Sequence, residues 1–167
     1  MEYEKYIAIL KSKFERHFNI DTDIIVFGIK IDMFARFADV RARTFITKND
    51  VIDKYENYEY CYIMKYDNIT EEEVCAYGQF LKKVADERIE PGKDHMSTNV
   101  TGVMIGNNIS SNAKKHIEKY RYSKVYSFYL KGWCDVRLIC IGLDNNEVVT
   151  NKAGKKVKMV YQSALSE

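Results

Sequence analysis

Between Thr98 and Leu143 an apolar strand pattern, a short basic helix pattern and a long strand pair follow one another almost without connecting residues. The strand reads TNVTGVMIG, the helix SSNAKKHIEKY and the pair KVYSFYLKGWCDVRLICIGLD. Strands this continuously apolar need cover on their faces. The segment therefore lays down a sheet-centred domain with helices packed against it.

The rest of the chain fits that plan. Tyr6, Ile7, Leu10, Phe14 and Phe18 fall at helical spacing and predict an amphipathic helix over 3–18. From Asp23 to Lys48, Ile29, Ile31, Met33, Ala35 and Phe37 alternate with Lys30, Asp32, Phe34 and Arg36, the period of a strand. These 26 residues exceed ordinary strand length, so the pattern predicts two or three antiparallel strands, with bends near Gly28 and near Ala38 and Asp39. A helical turn over 49–56 leads into a strand over 58–65. Thr70 and Glu73 form a capping box ahead of a helix with Val74, Tyr77, Leu81, Val84 and Ala85 inward, stopping before Pro91. A strand over 99–106 follows, then a helix capped within 108–111 and running through Tyr120. Strands over 124–130 and 133–143 meet at a Lys131–Gly132 corner. Asn145 and Asn146 turn the chain toward an edge hairpin around Ala153 and Gly154, where Lys152, Lys155, Lys156 and Lys158 read as protection of that edge. There is no repeat or linker, and residues 1–167 are expected to form one globular domain, an α/β layered sandwich with a central mixed sheet flanked by helices.

At 167 residues the chain can bury roughly two thirds of its unfolded surface, so it needs no disulfide or metal for stability. Cys61, Cys75, Cys134 and Cys140 lack CxxC spacing, which argues against a structural zinc site. No apolar run has signal-peptide or membrane-span character, so the expectation is a cytoplasmic protein without a membrane partner. The net charge of +2 hides an asymmetry: residues 110–167 hold eleven Lys or Arg against five Asp or Glu, net +6, leaving fifteen against nineteen, net −4, in residues 1–109. Such a field attracts polyanions. Lys114, Lys115, Lys119 and Arg121 form a stripe suited to a phosphate backbone, although Glu118 interrupts it and a solvated helix face is the simpler account.

The order of elements and the placement of acids resemble the restriction-endonuclease-like core of the PD-(D/E)XK nuclease superfamily over roughly residues 3–130. The resemblance implies magnesium-dependent phosphodiester hydrolysis of nucleic acid. Asp32 or Asp39 would be the first acid and Glu59, opening EYCYIMK, the second, together holding Mg2+ with hard oxygen ligands. Glu15 would be an additional ligand. Cys61 stands at the position of the family's lysine and Ile31 at that of its proline, leaving Lys65 or Lys93 to supply positive charge. The competing expectation is a non-catalytic interaction module that kept the sheet and lost the chemistry; its aromatic-rich sheet offers a face for a homodimer.

Other candidates have plain structural readings beside their chemical ones. Arg36, Arg41 and Arg43 suit either phosphate or an ion-pair row with Asp39. His95 suits acid–base work or loop packing. Gly102, Gly106, Asn107 and Asn108 precede a helix whose amides can receive a small anion. Trp133 and the tyrosines serve either base stacking or core packing.

Overall fold

The computed structural model describes residues 1–44 and 51–167. Helix α1 (Tyr3–Phe14) buries Tyr6, Leu10 and Phe14. The chain then runs out along β1 (Asn19–Val26), turns at Phe27 and Gly28, and returns as β2 (Ile29–Thr44). Gly28 takes φ +80°, a left-handed backbone for which glycine carries no Cβ penalty, so the first expected bend is present. The second is not. Ala38 and Asp39 pair with Tyr58 and Asn57 of β3 (Val51–Lys65), and this antiparallel ladder keeps β2 extended through them. The same pairing replaces most of the helical turn expected over 49–56, whose residues 49 and 50 lie outside the described residues.

Helix α2 (Glu71–Glu87) begins on the expected capping box: the Glu73 amide donates to Thr70 Oγ1 at 3.3 Å and the Thr70 amide to Glu73 Oε2 at 2.8 Å. It is followed by β4 (His95–Gly106), α3 (Ser111–Lys119), β5 (Ser123–Val125), β6 (Trp133–Gly142), β7 (Glu147–Thr150) and α4 (Lys158–Ala164). The strand expected over 124–130 stops at Val125, because Ser127 and Phe128 take left-handed backbone (φ 48° and 52°) within a 3-10 turn. Gly132 follows with φ +70°, packed so closely that a Cβ there would lie 1.9 Å from the Met96 carbonyl oxygen.

The sheet is mixed and seven-stranded, in the order β1-β2-β3-β4-β6-β5, with β7 also on β6. β3, β4 and β6 run parallel, and the other pairings are antiparallel. Successive residues of the central strands point into opposite cores, as the strand period requires. Cys61, Ile63, Val103, Ile105, Ile139 and Ile141 pack under α1 and α4. Tyr62, Val100, Met104, Val136, Leu138 and Cys140 pack under α2 and α3. Burial on both faces explains why these strands read as nearly continuous apolar runs. α2 presses so closely on β4 that a Cβ on Gly102 would meet Leu81 Cδ1 at 2.3 Å.

The hairpin expected around Ala153 and Gly154 is replaced by a 3-10 turn, Ala153–Lys156, leading into α4. One buried side chain causes the change. Asn151 accepts from the Leu138 amide at 3.1 Å and the Gly154 amide at 2.9 Å, and it donates to the Val136 carbonyl at 3.0 Å. β5 pairs with residues 133–135 of β6 and β7 with residues 139–142. The Asn151 amide fills the gap between them, taking the bonds a neighbouring strand would make.

Candidate functional site

The acids expected to share a metal ion are not brought together. Glu59 sits opposite Phe37 in the β2–β3 ladder, whereas Asp32 lies one residue beyond the Met33–Ile63 pair. That separation is five residues, about 16 Å at about 3.3 Å per residue. Glu59 is instead bound by Arg137 Nη1 at 2.8 Å, with side chains 24% and 12% exposed, and it accepts from Thr101 Oγ1 at 3.3 Å. Asp39, at the Glu59 end of the ladder, accepts from Arg41 Nε at 2.9 Å. Asp32 accepts from the Lys65 amide at 2.7 Å. Lys65 Nζ turns away to Glu4 at 3.1 Å and lies over the Tyr3 ring. Glu15 pairs only loosely with Lys11, at 3.9 Å. Lys93 precedes β4, at the end of β3 remote from Asp32. Among the described residues no three His, Cys, Asp or Glu side chains form a metal-binding group. The Arg43 side chain lies outside the described residues.

On the opposite face of the same rim a cavity of about 360 Å³ is lined by Glu56, Tyr58, Tyr60, Arg88, His95 and Thr98, among others. His95 is 6% exposed and both its ring nitrogens are used. A carbonyl can only accept, so Nδ1–H donates to the Lys131 oxygen at 2.6 Å and leaves Nε2 to accept from Thr98 Oγ1 at 2.8 Å. The ring thus ties the start of β4 to the 126–132 segment, which is the packing role. Lys54 and Tyr58 hold the Glu56 carboxyl below its usual range by hydrogen bonds. The glycine-containing stretch at the end of β4 is also structural: the space above Gly102 is filled by Leu81, and Asn108 Nδ2 donates to Asp144, an acid that repels an incoming anion.

The basic stripe divides. Lys114 is bound to Glu147 Oε2 at 2.7 Å, while Lys115 and Lys119 have no ion-pair partner among the described residues. Arg121 Nη1 donates to the Glu118 and Tyr120 carbonyls, both at 2.6 Å, which holds its guanidinium at the end of α3. That arginine opens a groove of about 350 Å³ shared with Tyr122, Asp135, Asn151, Lys152 and Lys156. The groove exists because Asn151 seats the 3-10 turn against β6 and so brings Lys152 and Lys156 beside Arg121. Neither lysine has a carboxylate partner among the described residues, and Lys155 stands exposed next to them. Read as edge protection in the sequence, these lysines instead flank a concave surface. The asparagine that places them carries no local pattern; only the lysine spacing around Gly154 pointed to the region.

A second feature also escaped the sequence reading. Cys75 and Glu71 on α2 meet His116 on α3, with 3.3 Å from Cys75 Sγ to His116 Nε2 and 3.4 Å from Glu71 Oε1 to Nδ1. The i, i+4 spacing of Glu71 and Cys75 puts them on one helix face, but nothing local ties them to a histidine forty-one residues on.

Among the described residues no helix is long and apolar enough to cross a membrane. No curated protein and no solved structure matches the chain. The family model described as "Domain of unknown function (DUF8052)" matches residues 2–163, and the chain belongs to that family.

Proposed function

We propose that this domain is a binding module for a polyanion of the nucleic-acid class, which docks in the Arg121–Lys152–Lys156 groove and is not cleaved there. The observation that carries the reading is the contrast in how charge is placed. The acids are matched, Glu59 with Arg137 and Asp39 with Arg41, whereas three cations converge on one groove with a single acid, Asp135, among them. Carboxylates bonded to arginines are poorly placed to hold a metal ion, while unpaired cations at a concave edge displace the counterions condensed on a phosphate backbone. The order helix, three-strand meander, helix, parallel strand supports a restriction-endonuclease-like scaffold that has parted from its magnesium chemistry.

The test is fluorescence anisotropy with a labelled single-stranded oligonucleotide and a duplex, titrated over salt. Binding should weaken with a log–log slope of about −0.7 to −0.9 per phosphate engaged. The double variant Lys152→Glu/Lys156→Glu should lose most of the affinity, and plasmid DNA with Mg2+ or Mn2+ should stay supercoiled. Failure to bind either probe at low salt, or binding indifferent to the charge reversal, defeats the module. Nicking that disappears in Glu59→Gln restores the nuclease.

A further inference from the structure

α2 runs out before it covers the start of β3. The helix ends at Glu87, Ile89 is the last buried side chain after it, and the chain then leaves through Glu90 and Gly92 toward β4. Tyr58 and Tyr60 are left half-buried, lining the cavity of about 360 Å³ that this loop walls. Tyr62 and Tyr77, in the core on the same face, are each 3% exposed. Residues two apart on a strand share a face, so the Tyr58 and Tyr60 rings stand side by side, and Phe34 and His95 extend the row. From Phe34 through Tyr60 and Tyr58 to His95 the ring centroids lie 6.2, 6.2 and 6.3 Å apart, with planes 15°, 3° and 8° from parallel.

Charge is left open around this row. Arg36 lies directly across the ladder from Tyr60, and Arg88 lines the cavity. Both are exposed, and neither has a carboxylate partner among the described residues. The Arg88 guanidinium carbon instead lies 5.2 Å from the Phe27 ring centroid. Of the two acids in the wall, Glu56 accepts from Lys54 Nζ at 2.6 Å and from the Tyr58 hydroxyl at 2.9 Å. Glu90 has no ion-pair partner among the described residues. Flat rings, free guanidinium groups and a free carboxylate match three parts of a nucleotide: the face of its base, its phosphate and an amino edge. The Arg121 groove is close by. Asp86, in the last turn of α2, bonds Tyr122 of the groove wall, and Arg88 meets the cavity two residues later.

We propose that the cavity is a base-binding pocket for single-stranded nucleic acid, an inference that rests on the polyanion reading above. A base lies against Tyr58 and Tyr60, its phosphates meet Arg88 and Arg36, and Glu90 accepts from an exocyclic amine. A duplex does not use the pocket, because its bases are already stacked and paired. The carboxylate selects cytosine over thymine, which presents an oxygen where cytosine presents an amine.

The experiment is fluorescence anisotropy at low salt with three labelled probes of about 12 units: oligo-dC, oligo-dT and an abasic phosphodiester chain. Oligo-dC should bind roughly tenfold tighter than the abasic chain and about threefold tighter than oligo-dT. Tyr58→Leu/Tyr60→Leu should bring oligo-dC down to the abasic level, and Glu90→Ala should equalise oligo-dC and oligo-dT. Arg88→Gln should weaken both with a shallower salt slope. Lys152→Glu/Lys156→Glu should weaken all three probes alike, since the groove meets only phosphate. Arg88 and Glu90 are exposed, so their variants carry the test if the tyrosine pair fails to fold. An abasic chain that binds as tightly as oligo-dC overturns the pocket and leaves the groove standing. Binding of none of the probes overturns both. Equal affinity for oligo-dC and oligo-dT overturns the amine readout, and a folded tyrosine variant with undiminished oligo-dC binding overturns the aromatic platform.

Discussion

The Glu59 rim and the Arg121 groove both gather charged side chains, largely buried at the rim and exposed in the groove, and they use that charge differently. At the rim, Glu59 and Arg137 are mostly withdrawn from water and satisfy each other, with Thr101 adding a third contact. In the groove, the cations are placed by neutral groups: Arg121 by backbone carbonyls and the lysines by the Asn151 amide. A charge that is neutralised where it stands fixes structure, whereas one held by a dipole keeps its field for something else. The proposed binding role rests on this difference.

The sharpest way to break the comparison is Asn151→Ala. It strands the Leu138 and Gly154 amides and the Val136 carbonyl, so unfolding in urea should show a loss of about 4 kcal/mol, with oligonucleotide affinity falling as the lysines move. Full stability in that variant would show that the groove does not depend on the amide. Next, Arg137→Met leaves Glu59 half-buried without its cation. A loss of about 2 kcal/mol is expected, with oligonucleotide binding unchanged; weakened binding would join rim and groove into one site. Lys152→Glu should reverse the pattern, shifting stability by no more than about 0.5 kcal/mol while binding weakens clearly.

The smallest effect concerns Asp86, which joins α2 to the strand beside the groove. Hydrogen bonds from Lys82, Tyr122 and Lys124 lower its carboxyl from near 4 to about 2. A lowered folded value means the contribution is complete above about pH 4 and is lost as pH falls toward 2. Acid titration of Asp86→Asn should therefore show a flatter decline over that window than the parent. Parallel acid curves would mean these contacts are too solvated to matter.

What the sequence disclosed follows from the range over which each interaction acts. The Thr70–Glu73 box, the Ser110 cap and the turn at Gly28 depend on residues within a few positions, and each stands where it was expected. The mixed sheet between helices was legible because burial on both faces leaves long apolar runs. The unbroken course of β2 was not, since Ala38 and Asp39 are poor strand residues held extended by partners on β3. Charge partners were hidden for a similar reason: Glu59 and Arg137 are seventy-eight residues apart and meet only because β4 lies between β3 and β6. Distance along the chain also concealed the contact between Cys75 and His116.

The asparagine patch on β6 has a consequence for life at high concentration. With three residues of β5, one side-chain amide and four residues of β7 sharing that flank, the outermost backbone is cut into runs too short to template a strand from another molecule. On this flank, protection from strand addition follows from interruption of the edge rather than from electrostatic repulsion, and the neighbouring lysines need not serve as guards; the eight-residue edge of β1 has no such break.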